Sequence, residues 1–318
     1  MAEKRALVLS GGGSKGAFAA GAIKHLMVDR RLHFDMAIGT STGALLAPLV
    51  ATRDVADLLN IYENVENQHV LTDRPDLLAF LLSDALNGSE PLERMIHRFL
   101  GEERRYRRLV ESPMEMFVSV VSLQSGRVEY GNQHQDPKEV LLKKILASAS
   151  IPVLMPPVQI GSVQFVDGGV KETAPFAKAI DEGATHIVAI VLQADAERRP
   201  VRTERFLTAF DITGRTIELL TEEILDNDLR VAALINDGVA TLARIRANAR
   251  DRLGLSADQI QTLFAGVENA FEGRRIIEIT LIRPDRELAG SPLNFDPHVM
   301  REWVDLGYAT ARRALIAS

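Results

Sequence analysis

Short apolar runs and helix-like stretches alternate along most of the chain. The apolar runs are rich in β-branched residues, which favours strands over buried helices. They lie at 5–10, 34–40, 114–123, 127–132, 163–169, 184–193 and 274–284. Helical periodicity covers 16–29, 42–53 and 137–149. Strands separated by helices predict an α/β fold with a mainly parallel sheet.

Residues 203–271 interrupt this alternation. The segment has helical periodicity and many charges but no strand signal, as in TIELLTEEILDNDLRVAALI. We therefore predict a helical insertion between two strands of one sheet, so that residues 1–318 form a single domain. After the last strand, an amphipathic helix is predicted to begin at an N-cap formed by Asp296 and Pro297.

Composition excludes several classes of protein. The 318 residues carry a net charge of −6, which gives no general attraction to nucleic acid or anionic lipid. The chain has no cysteine, so disulfides and thiol catalysis are excluded. No signal-peptide core precedes the first glycines, and no apolar run approaches the ~20 residues of a membrane span. The expectation is a cytoplasmic protein without a nucleic-acid partner.

A basic run at 104–109 indicates a solvated helix face more than an anion-binding patch.

A glycine-rich turn follows the first predicted strand. Gly11, Gly13 and Gly16 fit the G-x-G-x-x-G spacing of dinucleotide-binding loops, with Asp35 downstream as a ribose ligand. A Walker loop is excluded because Ala17 stands where lysine should follow Gly16. Free amides at a helix N-terminus attract negative charge, so the turn could serve either a phosphate or an oxyanion.

A second glycine-rich turn, Gly39-Thr40-Ser41-Thr42-Gly43, follows the next strand and precedes a helix. This is the setting of a nucleophile elbow, in which a sharp turn presents the Ser41 hydroxyl. The alternative is that Ser41 only caps the helix. If the first two strands are neighbours, the amides of residues 11–13 lie beside Ser41, as an acyl-transfer site requires.

A nucleophilic serine needs a base. The histidines are scattered, and His134, in a polar loop, is the best histidine candidate. Asp167 ends a predicted strand and is followed by Gly168 and Gly169, which fits either a catalytic carboxylate or an ordinary Asp-Gly turn.

The glycine block at 11–16, the G-x-S-x-G at 39–43 and Asp167-Gly168-Gly169 together resemble the patatin-like phospholipases. The proline-rich block at 146–161 adds to this resemblance, which covers about residues 6–193. It implies a three-layer sandwich and a lipid acyl hydrolase with a Ser–Asp dyad and no histidine. The roles it implies are a nucleophile (Ser41), a base (Asp167), oxyanion-hole amides (Gly11, Gly12, Gly13) and supporting residues (Lys15, Gly16, Gly39, Gly43, Gly168, Gly169).

The chain departs from the family pattern after Asp-Gly-Gly. The family usually has Asn-x-Pro there, whereas this chain has Lys-Glu-Thr-Ala-Pro at 171–175. The asparagine is absent and the proline comes one place late. The support of the loop around Asp167 is therefore an open question for the structure.

The predicted function is hydrolysis of fatty-acyl esters of phospholipids or lysophospholipids. The alternatives are a patatin-like regulatory or acyl-binding protein with little turnover and, far behind, a nucleotide-dependent oxidoreductase. We predict no metal and no cofactor, and allow transient contact with a membrane surface and self-association. The apolar stretches at 77–82 and 151–158 are candidates for the acyl site. The insertion is predicted to cover or flank the site, with a structural or oligomerising layer as the alternative.

Overall fold

The computed structural model describes residues 3–73, 85, 87–203, 205–265, 271, 275–290 and 293–317. The apolar stretch at 77–82 lies outside these residues.

Strands and helices alternate much as predicted. The strands in the described residues are β1 (Arg5–Leu9), β2 (Met36–Gly39), β3 (Thr72–Asp73), β4 (Asn87–Gly88), β5 (Glu115–Ser122), β6 (Val128–Asn132), β7 (Val158–Ile160), β8 (Val163–Asp167), β9 (His186–Ile190) and β10 (Glu278–Ile282). The helices are α1 (Gly16–Lys24), α2 (Thr42–Ala51), α3 (Val55–Asn64), α4 (Asn67–Val70), α5 (Glu90–Ile96), α6 (Glu103–Val110), α7 (Lys138–Ser148), α8 (Phe176–Asp181), α9 (Ala209–Leu253), α10 (Ala257–Phe264) and α11 (Pro297–Ala317).

Eight strands form one mixed sheet. Its order is β10-β9-β1-β2-β5-β8-β7, with β6 paired to β5. The strands β10, β9, β1, β2 and β5 run parallel to one another, whereas β6 and β8 pair with β5, and β7 with β8, in antiparallel fashion. The predicted α/β sandwich with a mainly parallel sheet is thus confirmed.

Both faces of the sheet are covered by helices. Along β1, Leu7 and Leu9 point to one face and Ala6 and Val8 to the other, because side chains alternate along a strand. Side chains of α1, α2, α7 and α11 belong to the first core, and those of α8 and α9 belong to the second. This two-sided burial explains why the central strands are almost wholly apolar.

The predicted helical insertion is present between β9 and β10, and its main element is the 45-residue helix α9. Two of its residues, Leu225 and Ala232, are buried in the second core. The first half of α9 is therefore part of the outer layer of the sandwich.

Among the helices that the structure describes, none combines the length and the apolar character that crossing a membrane requires.

Candidate active site

Ser41 occupies a strained turn between β2 and α2. Its backbone has φ 57° and ψ −123°, a region that a residue with a side chain rarely adopts and that costs about 1–3 kcal/mol. Its side chain makes no capping hydrogen bond to α2, which argues against the reading of Ser41 as a simple helix cap. The strain instead presents a hydroxyl that the helix does not use.

Close backbone packing explains the glycines on either side of this turn. A Cβ at Gly39 would lie 2.1 Å from the carbonyl oxygen of Gly43. A Cβ at Gly43 would lie 2.2 Å from the carbonyl oxygen of Leu9. Real Cβ atoms do not approach backbone so closely, so Gly39 lets the turn close on itself and Gly43 lets it pack against β1. A serine that the sequence analysis did not single out adds support, since the Ser41 N–H donates to Ser148 Oγ at 3.0 Å.

Asp167 is the last residue of β8 and is buried, with 4% of its surface exposed. One carboxylate oxygen accepts a hydrogen bond from the Gly169 N–H at 2.7 Å. The Asp-Gly turn that the sequence analysis gave as the alternative to a catalytic carboxylate is therefore present. The Ser41 side chain lies close enough to the carboxylate to lower the pKa of Asp167. Burial raises the pKa of Asp167 to about 7, and the Gly169 N–H and the nearby Ser41 side chain offset only part of this rise.

Pairing with β5 brings Ser41 and Asp167 together. One edge of β5 pairs with β6, and the other edge is shared by β2 and β8. Because β2 is parallel to β5 and β8 is antiparallel, their carboxyl ends point toward each other along this edge. Gly39 lies opposite Val118 and Asp167 lies opposite Val120. The turns that follow the two strands therefore meet over a single residue of β5.

That residue is Ser119, which the sequence analysis did not identify. Its hydroxyl lies 2.6 Å from Thr40 Oγ1 and is fully buried. A Cβ at Gly168 would lie 2.1 Å from Ser119 Oγ. Ser119 thus contacts the turns of both candidate catalytic residues and fixes their spacing.

The glycine loop lies beside Ser41, because β1 and β2 are parallel neighbours with Leu9 opposite Gly39. A Cβ at Gly11 would lie 3.1 Å from the Ser41 Cβ. The Gly11 N–H is not free, since it donates to the Thr173 carbonyl at 3.1 Å. The N–H groups of Gly12 and Gly13 have no hydrogen-bond acceptor among the described residues. The predicted set of oxyanion donors therefore narrows from three glycines to Gly12 and Gly13.

Lys15 and Gly16 serve the packing of this loop. Lys15 is 8% exposed and forms an ion pair with Glu287, in the segment after β10. A Cβ at Gly16 would lie 2.5 Å from Thr42 Oγ1, so glycine lets α1 approach α2 closely. Both residues support the loop, and the charge of Lys15 is already balanced within the protein.

The competing candidates from the sequence are placed elsewhere. His134 is exposed in the loop after β6, and no histidine of the described residues lines either cavity at Ser41. The Asp35 carboxylate accepts the Arg5 N–H at 2.7 Å, so it is engaged at the start of β1 and not as a ribose ligand. In the basic run, Arg105 and Arg108 pair with acidic side chains of the α3 region, as suits a solvated helix face.

Ser41 lines two cavities of different character. The first, the apolar cavity, is enclosed by side chains that include Leu45, Ile61, Leu92, Ile96, Phe99, Ile145 and Met155. The second, the mixed cavity, is lined by the glycine loop, Asp167, Gln193 and, from the insertion, Gly214, Ile217, Glu218, Thr221 and Glu222. The predicted acyl-site stretch at 151–158 contributes Ile151 and Met155 to the apolar cavity. In the described residues, no three potential metal ligands gather into one group.

The loop that departs from the family pattern is held by the insertion. The backbone N–H groups of Thr173 and Ala174 both donate to Asp228 Oδ2 of α9, each at 3.0 Å. Glu172 is hydrogen-bonded by the Tyr130 hydroxyl at 2.5 Å. No local sequence signal marks Asp228, because it lies 55 residues from Thr173 along the chain.

Comparisons with known proteins agree with this fold. A family model described as patatin-like phospholipase matches residues 7–180, more than half of the chain. An uncharacterized protein of Bacillus subtilis strain 168, YqhO, is 24% identical over 238 residues, which cover 68% of this chain and 79% of YqhO. The crystal structure of VipD from Legionella pneumophila superposes with a TM-score of 0.51 at 15% identity, over 99% of this chain and 67% of VipD. The chain belongs to the patatin-like phospholipase family.

Proposed function

We propose that the protein hydrolyses fatty-acyl esters of phospholipids or lysophospholipids through a Ser41–Asp167 dyad. The observation that carries the proposal is the strained, uncapped Ser41 hydroxyl close to the buried carboxylate of Asp167, whose pKa it lowers. An exposed aspartate is a weak base, with a pKa of about 3.9 against about 6.5 for histidine. Burial lifts the pKa of Asp167 to about 7, which makes the carboxylate a base comparable to imidazole.

In the first half of the proposed reaction, ionised Asp167 takes the proton of Ser41 Oγ while this oxygen attacks the ester carbonyl carbon. The carbonyl π electrons move onto oxygen, and the Gly12 and Gly13 amides stabilise the resulting negative charge. The intermediate then collapses, the bond to the alcohol oxygen breaks, and Asp167 returns the proton to the leaving alcohol. An acyl-Ser41 ester remains.

In the second half, Asp167 takes a proton from a water molecule whose oxygen attacks the acyl-Ser41 carbonyl. Collapse of this second intermediate releases the fatty acid, and Ser41 recovers its proton from Asp167. Because the same carboxylate serves twice, only one ionisable group has to be in the correct state at each attack.

The two cavities suggest where the parts of a substrate lie. The apolar cavity, with residues such as Leu45 and Phe99, suits a single acyl chain. Burial of a chain there would contribute ~0.8 kcal/mol per methylene. The mixed cavity suits the alcohol side of the ester, and the insertion flanks it there. The apolar cavity also supports the alternative of an acyl-binding protein with little turnover. Contact with a membrane surface, self-association and a cytoplasmic location stay predictions from the sequence.

Turnover by Ser41 separates these two functions. We would measure fatty-acid release from phospholipids, lysophospholipids and 4-nitrophenyl esters for the wild type and for Ser41→Ala. Ser125→Ala, which alters an exposed turn serine, is the matched control. The proposal predicts release that Ser41→Ala abolishes and Ser125→Ala leaves intact. Binding of fatty acid without release from any ester would favour the acyl-binding alternative.

A further inference from the structure

The insertion is hydrogen-bonded to the loop that follows Asp167. A single carboxylate oxygen of Asp228 accepts both the Thr173 and the Ala174 N–H at 3.0 Å. The same helix, α9, supplies a further contact, since the Thr173 hydroxyl donates to the Thr221 carbonyl at 3.3 Å. Thr173 and Ala174 are 2% and 1% exposed, so the two donating N–H groups are shielded from water, while Asp228 is half-buried. Hydrogen bonds to a carboxylate in such surroundings are stronger than those between neutral groups.

The other side of Thr173 connects to the glycine loop. Its carbonyl accepts the Gly11 N–H at 3.1 Å. Gly11 in turn packs close to Ser41, because an added Cβ at Gly11 would lie only 3.1 Å from the Ser41 Cβ. A continuous series of contacts therefore runs from Asp228 through Thr173 and Gly11 to Ser41.

Gly11 immediately precedes the two amides proposed as oxyanion donors. The peptide plane between Gly11 and Gly12 carries the Gly12 N–H, so the bond from Gly11 to Thr173 helps to set the direction of that N–H. Donors stabilise an oxyanion only when they lie about 2.7–3.1 Å from it. A misplacement of ~1 Å costs about a hundredfold in rate. The position of Thr173 is thus a determinant of the oxyanion site.

We propose that Asp228 is a positioning residue for the acyl-transfer reaction: from the insertion, it holds Thr173 so that Gly11 keeps the Gly12 and Gly13 amides directed at the oxyanion. This inference rests on the proposed function. It gives the insertion a part in catalysis that does not depend on opening or closing over the substrate.

The surroundings of Asp228 indicate which substitution should preserve its role. Burial raises the pKa of Asp228 to about 7, and the nearby Glu172 carboxylate adds to the rise. The role requires an acceptor oxygen at this place more than a negative charge. Asparagine keeps that oxygen and the shape of the side chain, whereas alanine removes the oxygen.

The experiment compares Asp228→Ala, Asp228→Asn and the control Asp237→Ala, which removes an exposed carboxylate from the same helix. The rate on 4-nitrophenyl butyrate is divided by the number of serines that a fluorophosphonate labels at saturation. A loss of folded protein lowers the number of labelled serines, while a displaced oxyanion site lowers the rate at each one. We expect Asp228→Ala to lower kcat per labelled serine about tenfold to a hundredfold, with KM within about threefold. The kcat per labelled serine of Asp228→Asn should stay within about threefold of the wild-type value, and that of Asp237→Ala should equal the wild-type value.

An active wild type with an unchanged kcat per labelled serine in Asp228→Ala overturns the inference. So does an Asp228→Asn variant as impaired as Asp228→Ala. If Asp228→Ala does not fold, Asp228→Glu takes its place, since it moves the acceptor by one methylene: a lower kcat per labelled serine supports the inference, and a wild-type value overturns it. A wild type that neither hydrolyses an ester nor reacts with the fluorophosphonate would overturn the proposed function itself.

Discussion

Asp167→Asn tests the proposed base and its environment in one variant. Asparagine has the size of aspartate and can still accept the Gly169 N–H, but it cannot take the Ser41 proton. General base assistance is typically worth about 10²–10⁴-fold, so kcat should fall by at least that much. Binding of the ester should change little, because the apolar cavity is untouched.

The same substitution should stabilise the fold at high pH. The pKa of Asp167 rises from its ordinary value of 3.8 to about 7, so the folded protein holds this proton more tightly than the unfolded chain. The free energy of unfolding therefore decreases as the pH rises through this range, and the loss is complete above pH 7. Converted at ~1.4 kcal/mol per pKa unit, the loss in the free energy of unfolding is on the order of 4 kcal/mol at pH 8 and about 2 kcal/mol at pH 5. Asparagine does not ionise, so the variant does not lose this free energy.

The assay is guanidinium unfolding of the wild type and of Asp167→Asn at pH 5 and pH 8, alongside ester hydrolysis. Relative to the wild type, Asp167→Asn should be stabilised more at pH 8 than at pH 5 and should lose activity. The control Asp237→Asn, at an exposed site, should change neither the free energy of unfolding nor the activity. A gain that is the same at both pH values would refute the reasoning on the buried charge. Full activity in Asp167→Asn would refute the assignment of the base.

Three further outcomes are expected. The wild-type kcat/KM should rise about tenfold from pH 6 to pH 8 with a midpoint near the Asp167 pKa of about 7, because only the ionised carboxylate accepts the proton; a flat profile would contradict this. Hydrolysis should speed up from acetyl to medium-chain 4-nitrophenyl esters, and Leu45→Trp, which narrows the apolar cavity, should flatten the series; a flat or falling wild-type series would count against an acyl site there. Ile217→Trp, which adds bulk where the insertion lines the mixed cavity, should slow hydrolysis of micellar phospholipid more than of a short soluble ester; equal rates to the wild type on both would exclude control of access by this face.

Local patterns were sufficient to predict the turns that carry the site. Each glycine-rich turn lies between a strand and a helix that its own residues specify, and β1 and β2 are neighbours, as consecutive strands often are. The sequence alone was therefore sufficient to predict that Ser41 lies beside the glycine loop.

Contacts between distant segments could not be predicted in this way. The antiparallel approach of β8 along the edge of β5 places Asp167 opposite Val120, and Ser119 fills the space between the turns. The bond from Gly11 to Thr173 removes one of the expected oxyanion donors. Asp228 reaches this loop only through the packing of a 45-residue helix. The local periodicity of the sequence does not indicate any of these contacts.

The most direct test of the central claim is labelling with a fluorophosphonate, followed by peptide mapping and a comparison of rates among variants. The dyad predicts a single labelled residue, Ser41, with labelling that is lost in Ser41→Ala and greatly slowed in Asp167→Asn. His134→Ala should react at the wild-type rate. Rapid labelling of Asp167→Asn together with loss of labelling in His134→Ala would contradict the dyad and show that a histidine activates the serine.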